Sequence, residues 1–458
     1  MKKNLVLLCA FSVLAPARLH AGFDLASMNS SDPAISGGEA PAAPAAPDAP
    51  APKEWTIMVF MNGKSNIESF AVRDLNRIET SGSSDRVNIV AELGRSRGLD
   101  GDTEEDGDWT GVRRYLVTKD QDPGRIASPV LMDLGAADMG DHREVASFVK
   151  WAKAEFPAKR YMLIIWDHGW GWIDPISPAA AGSKSISHDF TTGNYIKTTE
   201  LGGIFADAGK VDLYASMACF MQMAEVAYEL KDGADIIVGS EEVIQLPSLN
   251  FEDFLSYMLA EPGASAAEAG ARMAETFREM YARPEYSDML DRTKYGAQLS
   301  VIRSAALPAF AEKASAWARL AEKSEDIAAF RKAKTGVLRF EVGDEVTDPD
   351  KQISFYGDLY DFIEVLNSVL DPRRAGAEEL KTAGEKLQRV ISAGLVLKNV
   401  HLGKDRTGKD YARTHGIAVH IPGRPGDLIN YHQSYTALAF DKATGWKRLI
   451  DHLESVGY

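Results

Sequence analysis

The chain predicts an α/β fold: a mostly parallel sheet held between two layers of helices, with a C-terminal α/β extension. Two observations carry this. Short apolar runs alternate with stretches of helical spacing from Glu54 onward. Two of the runs also end in residues that carry chemistry. Tyr161-Met162-Leu163-Ile164-Ile165-Trp166 leads into Asp167-His168-Gly169-Trp170-Gly171-Trp172, and Val211-Asp212-Leu213-Tyr214-Ala215 leads into Met217-Ala218-Cys219-Phe220-Met221. Runs that are apolar throughout read as strands buried on both faces. Open sheets of such strands place their sites beyond the strands' carboxyl ends.

The elements follow in order. Residues 1–21 read as a secretory signal: Lys2 and Lys3 form a basic start, Leu5 to Pro16 an apolar stretch, and Leu19-His20-Ala21 a small-residue exit. Residues 22–53 are a linker rich in Pro and Ala, too poor in apolar side chains to bury a core. Trp55–Met61 and Val87–Leu93 predict strands, with an amphipathic helix over Asn66–Thr80 between them. Trp109–Val117 predicts a hairpin-like insertion, and His142–Phe156 a helix with Val145, Phe148, Val149 and Ala152 on one face. The His-bearing and Cys-bearing strands come next, then a helix over Met221–Leu230 and a strand over Ala234–Ser240. This makes a core over 54–290. A C-terminal α/β region, 291–458, is expected to pack on it, with strands at Gln298–Ile302, Leu395–Val400 and Gly416–Ile421 and helices at Leu307–Ala321 and Ala375–Ile391.

Composition narrows the partners. The net charge of −15 becomes −18 once the +3 of Lys2, Lys3 and Arg18 leaves with the signal. Such an acidic chain argues against nucleic acid or an anionic membrane as partner. No segment supplies the roughly 20 apolar residues a transmembrane helix needs. Cys9 follows Leu8 rather than a small residue, so it does not read as a lipid attachment site. Cys219 is then the one cysteine beyond the signal, which excludes an internal disulfide. Nothing in the sequence sets an oligomeric state.

Cys219 and His168 are the candidate catalytic pair. A thiol becomes a nucleophile near neutral pH beside a base, and imidazole is the usual one. Gly169 and Gly171 let the backbone turn sharply after the strand. The amides of Gly169 and Cys219 are then placed to face a developing oxyanion. Cys219 is expected to open the following helix, whose N-terminus would favour the thiolate. Asp167 is left out of the pair, since neighbours on an extended chain point opposite ways. Asp102–Asp108 resembles the start of a calcium loop, but its twelfth position is Arg113, so it reads as a solvated acidic loop. His188-Asp189 has no zinc-site spacing, no catalytic metal is expected, and His415 and His420 read as structural.

These residues resemble the clostripain family of cysteine peptidases, in the clan of caspases, legumains and gingipains. Trp109-Thr110-Gly111-Val112-Arg113-Arg114-Tyr115 is similar to the family's early signature, and His168-Gly169-Trp170-Gly171-Trp172 to its His motif. Ala218-Cys219-Phe220-Met221 with Glu225-Val226-Ala227-Tyr228-Glu229-Leu230 is similar to its Cys helix, and Gly416–Pro422 to its C-terminal strand. The resemblance implies a caspase-like α/β/α sandwich, His168 as general base, Cys219 as nucleophile and a protein or peptide substrate. It implies no catalytic cofactor and leaves room for a structural calcium ion. Members of the family are often cut in the region of the loop Ile173–Ser187, which makes Lys184, its one basic residue, the candidate processing site, beside the reading of an uncut surface loop. Met217 departs from the family, which has Asp there, in the pocket that selects Arg or Lys. Glu241–Ser248 also lacks the family's usual Pro-x-Asp-Gly-Trp, although Glu241 or Glu242 could supply charge. The expected function is an exported cysteine endopeptidase working through a thioester, with a residue preference altered at Met217. Two alternatives stand beside it: an envelope protein that kept the fold without catalysis, which Met217 favours, and a thiol amidase or transpeptidase.

Overall fold

The computed structural model describes residues 52–174, 186–342, 353–405, 407–423 and 432–457. The signal and most of the linker lie outside the described residues, and so does Lys184. The strands are β1 (Lys53–Gly63), β2 (Val87–Arg95), β3 (Gly111–Leu116), β4 (Val130–Gly135), β5 (Ala158–Trp166), β6 (Ile186–Asp189), β7 (Asn194–Ile196), β8 (Val211–Met217), β9 (Ala234–Gly239), β10 (Ala297–Arg303), β11 (Arg339–Val342), β12 (Ile353–Asp358), β13 (Val396–Leu402) and β14 (Ala418–His420). Nine of them build one sheet in the order β13-β10-β9-β8-β5-β1-β2-β3-β4. β2, β1, β5, β8 and β9 run parallel. β3 and β4 add antiparallel on one side, and β10 and β13 on the other. β10 and β13 therefore carry the 291–458 region into the same sheet as the 54–290 core.

The central strands carry apolar residues on both faces because both faces are covered. In β1, Met58 and Phe60 join one apolar cluster, while Ile57, Val59 and Met61 join the other. β5 splits the same way, with Leu163 and Ile165 against Met162, Ile164 and Trp166. The helices are α1 (Glu68–Glu79), α2 (His142–Glu155), α3 (Leu201–Ala208), α4 (Ala224–Glu229), α5 (Phe251–Ala260), α6 (Ala266–Tyr281), α7 (Pro284–Thr293), α8 (Leu307–Ala321), α9 (Ile327–Gly336), α10 (Leu359–Val369), α11 (Ala377–Val390), α12 (His432–Ala437), α13 (Ala439–Thr444) and α14 (Trp446–Ser455). α1, α5, α6 and α7 pack on one face of the sheet, and α2, α3, α4 and α8 on the other. Asp141 starts α2 by accepting a hydrogen bond from the Arg143 amide. Ser265 and Glu268 close a capping box on α6, which satisfies two donors of its first turn.

The C-terminal helices are tied to the core through α4. Glu225 accepts the His420 amide at 2.9 Å and the Tyr435 hydroxyl at 2.8 Å, and Glu229 accepts the Ala439 amide at 2.6 Å. Burial pushes the Glu225 carboxyl up to about 7. The group holds its proton more tightly folded than unfolded. Its stabilising contribution is therefore full below about pH 4.5 and is lost as pH rises through about 7, on the order of 3 kcal/mol in all. Glu225→Gln is expected to flatten the fall in melting temperature between those pH values. A thermal-denaturation series across the window checks this, and an unchanged slope would refute it.

Candidate active site

Register places the two strand-end residues side by side. Met61 of β1, Trp166 of β5 and Met217 of β8 form one row across three parallel strands. His168 and Cys219 each follow two residues beyond that row. Strand order reverses here, since the chain builds from β1 outward to β2 on one side and through β5, β8 and β9 on the other. A crevice opens where the order of a parallel sheet switches.

Gly169 packs directly on the peptide of the cysteine. A Cβ built on it would lie 2.5 Å from the Cys219 carbonyl oxygen and 3.0 Å from the Cys219 nitrogen. Gly171 takes a left-handed φ of +60°, and a Cβ there would meet Met223 Sδ at 2.5 Å. Tyr356 secures this turn by donating to the Trp170 carbonyl at 2.5 Å.

Cys219 does not open a helix, contrary to the expectation from sequence. It sits in a tight turn, and α4 begins at Ala224. The cause is Phe220, whose φ of 60° is left-handed and cannot continue an α-helix. Such a conformation in a bulky residue costs about 1–3 kcal/mol and persists when its surroundings over-determine it. Here the Phe220 amide donates to the Glu242 carbonyl at 3.2 Å, and its ring packs against Tyr356 at 5.3 Å. The helix dipole acts within about one turn, so α4 is not the source of thiolate stabilisation that the sequence suggests. The strand–turn–helix path instead lifts the thiol out of the sheet, and Sγ contacts the Ile244 carbonyl at 3.9 Å.

His168 is half-buried. Its Nε2 lies 2.6 Å from Asn66 Oδ1, and its ring stacks on Phe190 with centroids 6.4 Å apart. Asp167 turns away from that ring. Its Oδ2 accepts from Asn62 Nδ2 at 3.0 Å and from the His188 amide at 2.7 Å. Burial holds its carboxyl well above the usual range. Asp189 is paired with Lys64 Nζ at 3.1 Å, and its Oδ2 also accepts the Met139 amide. His188 and Asp189 thus brace the loops behind His168. His420 is buried against Trp172, Phe355 and Tyr435, and His415 stacks on Tyr360. The 102–108 loop is organised by buried Arg95, which donates to the Thr103 and Glu105 carbonyls.

Met217 is 2% exposed, on the sheet face it shares with Trp166 and Ile244. Glu241 and Glu242, the sequence's other sources of charge, are both buried. Glu241 accepts the Gly416 amide, and burial, with Asp358 beside it, keeps its carboxyl well above the usual range. Glu242 accepts the Tyr411 hydroxyl and the Val243 amide. One buried acid that the sequence does not suggest, Asp74, accepts Trp166 Nε1 at 2.9 Å and pairs with Arg77. Among the described residues, no three His, Cys, Asp or Glu side chains are grouped to hold a metal ion.

A sandwich of this topology, with a histidine and a cysteine beyond adjacent parallel strands, defines a caspase-like peptidase architecture. Residues 59–453 match the family model described as the clostripain family, and the chain belongs to that family of cysteine peptidases. Clostripain of Hathewaya histolytica is 25% identical over 228 residues, which span 46% of this chain and 43% of that protein. The chain thus aligns with less than half of that relative's length. Two solved structures share the fold over 86% of this chain. One is an inactive zymogen C11 protease from Parabacteroides distasonis, with TM-score 0.61, 16% identity and 99% of that chain covered. The other is the secreted C11 cysteine protease iotapain from Bacteroides thetaiotaomicron, with TM-score 0.62, 16% identity and 100% covered. A secreted C11 cysteine protease from Bacteroides thetaiotaomicron in complex with an irreversible peptide inhibitor matches at TM-score 0.57 and 17% identity, over 86% of this chain and 99% of that one. The expected caspase-like α/β class is therefore the one observed. Among the described residues no helix is long and apolar enough to cross a membrane.

Proposed function

We propose that the chain is an exported cysteine endopeptidase in which Cys219 is the nucleophile and His168 the base. The observation that supports this most is the packing of Gly169 on the Cys219 peptide, one step beyond His168. This approach supports a site in which the thiol, the imidazole and two backbone amides share one strand end.

The chemistry follows from these parts. His168 takes the proton of the Sγ–H bond, and the thiolate attacks the carbonyl carbon of the scissile peptide. The carbonyl π electrons move to oxygen, which the amides of Gly169 and Cys219 stabilise. The intermediate collapses, the C–N bond breaks, and the departing amine takes the proton from His168. Water then adds to the thioester, giving its proton to His168, and the acid leaves as the thiol re-forms.

By the family resemblance Met217, which packs with Trp166 and Ile244, stands where the pocket for the residue on the acyl side of the cut carries its Asp. Met217 brings no charge for a guanidinium or ammonium group, whereas an Asp would bind one by a charge-assisted hydrogen bond. Glu241, Glu242 and Asp74 are engaged in bonds of their own. Substrates with apolar or uncharged residues at that position are therefore preferred. Fluorogenic peptides differing only there test the reading, with Cys219→Ala as the blank. Wild-type protein is expected to cleave after Leu better than after Arg, and Met217→Asp to raise the Arg:Leu ratio by ~10-fold, about 1.4 kcal/mol. Strong Arg selectivity that Met217→Asp leaves unchanged would show that the pocket lies elsewhere. No cleavage of any member above the blank would refute the peptidase itself.

A further inference from the structure

The base of a Cys–His pair needs more than proximity. An imidazole has two nitrogens, and the hydrogen bond made by one decides which of them is basic. We propose that Asn66 is the positioning residue for His168, fixing the tautomer in which Nδ1 takes the thiol proton. This rests on the Cys219–His168 reading above.

The sheet order supplies the argument. β1 lies beside β5, on the other side from β8, so the turn leaving β1 reaches the same crevice. Asn66 is in that turn, five residues beyond the row that links Met61, Trp166 and Met217. Its Oδ1 is 2.6 Å from His168 Nε2. An amide oxygen is an acceptor, so Nε2 carries the hydrogen and Nδ1 the lone pair. The proton of Sγ–H then passes to Nδ1, leaving thiolate and an imidazolium whose Nε2–H stays on Oδ1. The departing amine receives that proton from Nδ1.

The turn is held so that it can do this. Asn62 Oδ1 accepts the Lys64 amide, and Asn62 Nδ2 donates to Asp167. Lys64 Nζ is buried against Asp189 and the Ala137 carbonyl, and the Phe190 amide donates to the Lys64 carbonyl. Gly101 packs against the Asn66 carbonyl, where a Cβ would come within 2.1 Å. Phe190 lies against the face of the His168 ring. The turn after β1 therefore meets the edge of the imidazole and, through the Lys64 carbonyl, holds the segment whose Phe190 covers its face. Among the charged groups of these elements, Asp167 is bonded to Asn62 and the His188 amide, Lys64 to Asp189, Glu68 to Arg95 at 2.8 Å, and Asp102 to the Gly98 amide. A neutral amide opposite Nε2 orients the ring without locking it as imidazolium, which a carboxylate would favour.

Asn66→Ala, Asn66→Gln and Asn66→Asp test the assignment. The side chain is exposed, so these variants are expected to melt as wild type does. Asn66→Ala should lower kcat ~10²-fold with KM nearly unchanged, as loss of a productive orientation does. It should slow alkylation of Cys219 by an electrophilic peptide to a similar extent, and Asn66→Gln should recover part of both. Asn66→Asp should move the acid limb of kcat/KM up by about one pH unit, since a carboxylate favours the charged ring. Nitrogen-15 spectra of labelled histidine should show the Nε2–H tautomer in wild type and a mixture in Asn66→Ala. Wild-type kcat in Asn66→Ala together with an unmoved limb in Asn66→Asp would overturn the proposal. The dyad is judged separately by Cys219→Ala and His168→Ala, whose retained activity would overturn that reading instead.

Discussion

Cys219→Ala and His168→Ala are each expected to abolish turnover, with losses at or beyond the ~10²–10⁴-fold worth of a positioned acid–base group. The cause is the covalent chemistry proposed for these two side chains. Without Sγ no thioester forms. Without the imidazole the thiol keeps its proton, because α4 begins at Ala224 and its dipole does not stand in for a base. Nucleophile and base act as one unit, so the double variant should be no worse than either single one. Both substitutions shorten side chains that are partly exposed, so melting temperature should change little. Initial rates on the preferred fluorogenic peptide, read beside melting temperature, check this. A folded single variant keeping more than about one hundredth of wild-type rate would refute the pair, since it would fall short of even the lower bound for such a group.

Much of this arrangement is legible in the sequence, and the gaps have physical causes. β1, β2, β5, β8 and β9 announce themselves because strands covered on both faces need apolar residues on both, which gives near-continuous apolar runs. β4 does not, since Val130 and Leu131 lie exposed on an edge strand and no covering layer disciplines their pattern. His168 and Cys219 stand out because each ends an apolar run, and β5 and β8 do pair. The turn at Cys219 is misread as a helix start because what holds Phe220 left-handed is tertiary. The Glu242 carbonyl and the Tyr356 ring come from 22 and 136 residues further along the chain. Asn66 is missed for a related reason. A polar residue at the mouth of a predicted helix reads as a helix boundary, and nothing local says that β1 lies beside β5. Strand order decides that, and long-range pairing sets strand order.

The same packing makes Gly169 the most demanding position in the site, and Gly169→Ala is expected to cost activity almost as heavily as loss of the dyad. The backbone of Gly169 faces that of Cys219 with no room for a methyl group. An added Cβ would lie 2.5 Å from a carbonyl oxygen, 2.9 Å from Ala218 Cβ and 3.0 Å from an amide nitrogen. These are atoms of the backbone and its first carbon, so no side-chain rotation relieves the contact. β5 must move away from β8 at its carboxyl end, or the Cys219 turn must shift. Either movement displaces the imidazole from the thiol and splays the two amides proposed to hold the oxyanion. A misplacement of about 1 Å costs ~10²-fold in rate, and loss of one oxyanion donor costs ~10²–10³-fold. The overpacking itself should destabilise the fold by about 1–3 kcal/mol. Rate, probe labelling and melting temperature separate these effects. The expected result is a folded protein, melting lower, whose Cys219 is alkylated slowly and whose kcat falls at least ~10²-fold. Wild-type kcat in Gly169→Ala would show that the strand ends are free to separate, and that the close approach of Gly169 to Cys219 is not what assembles the site.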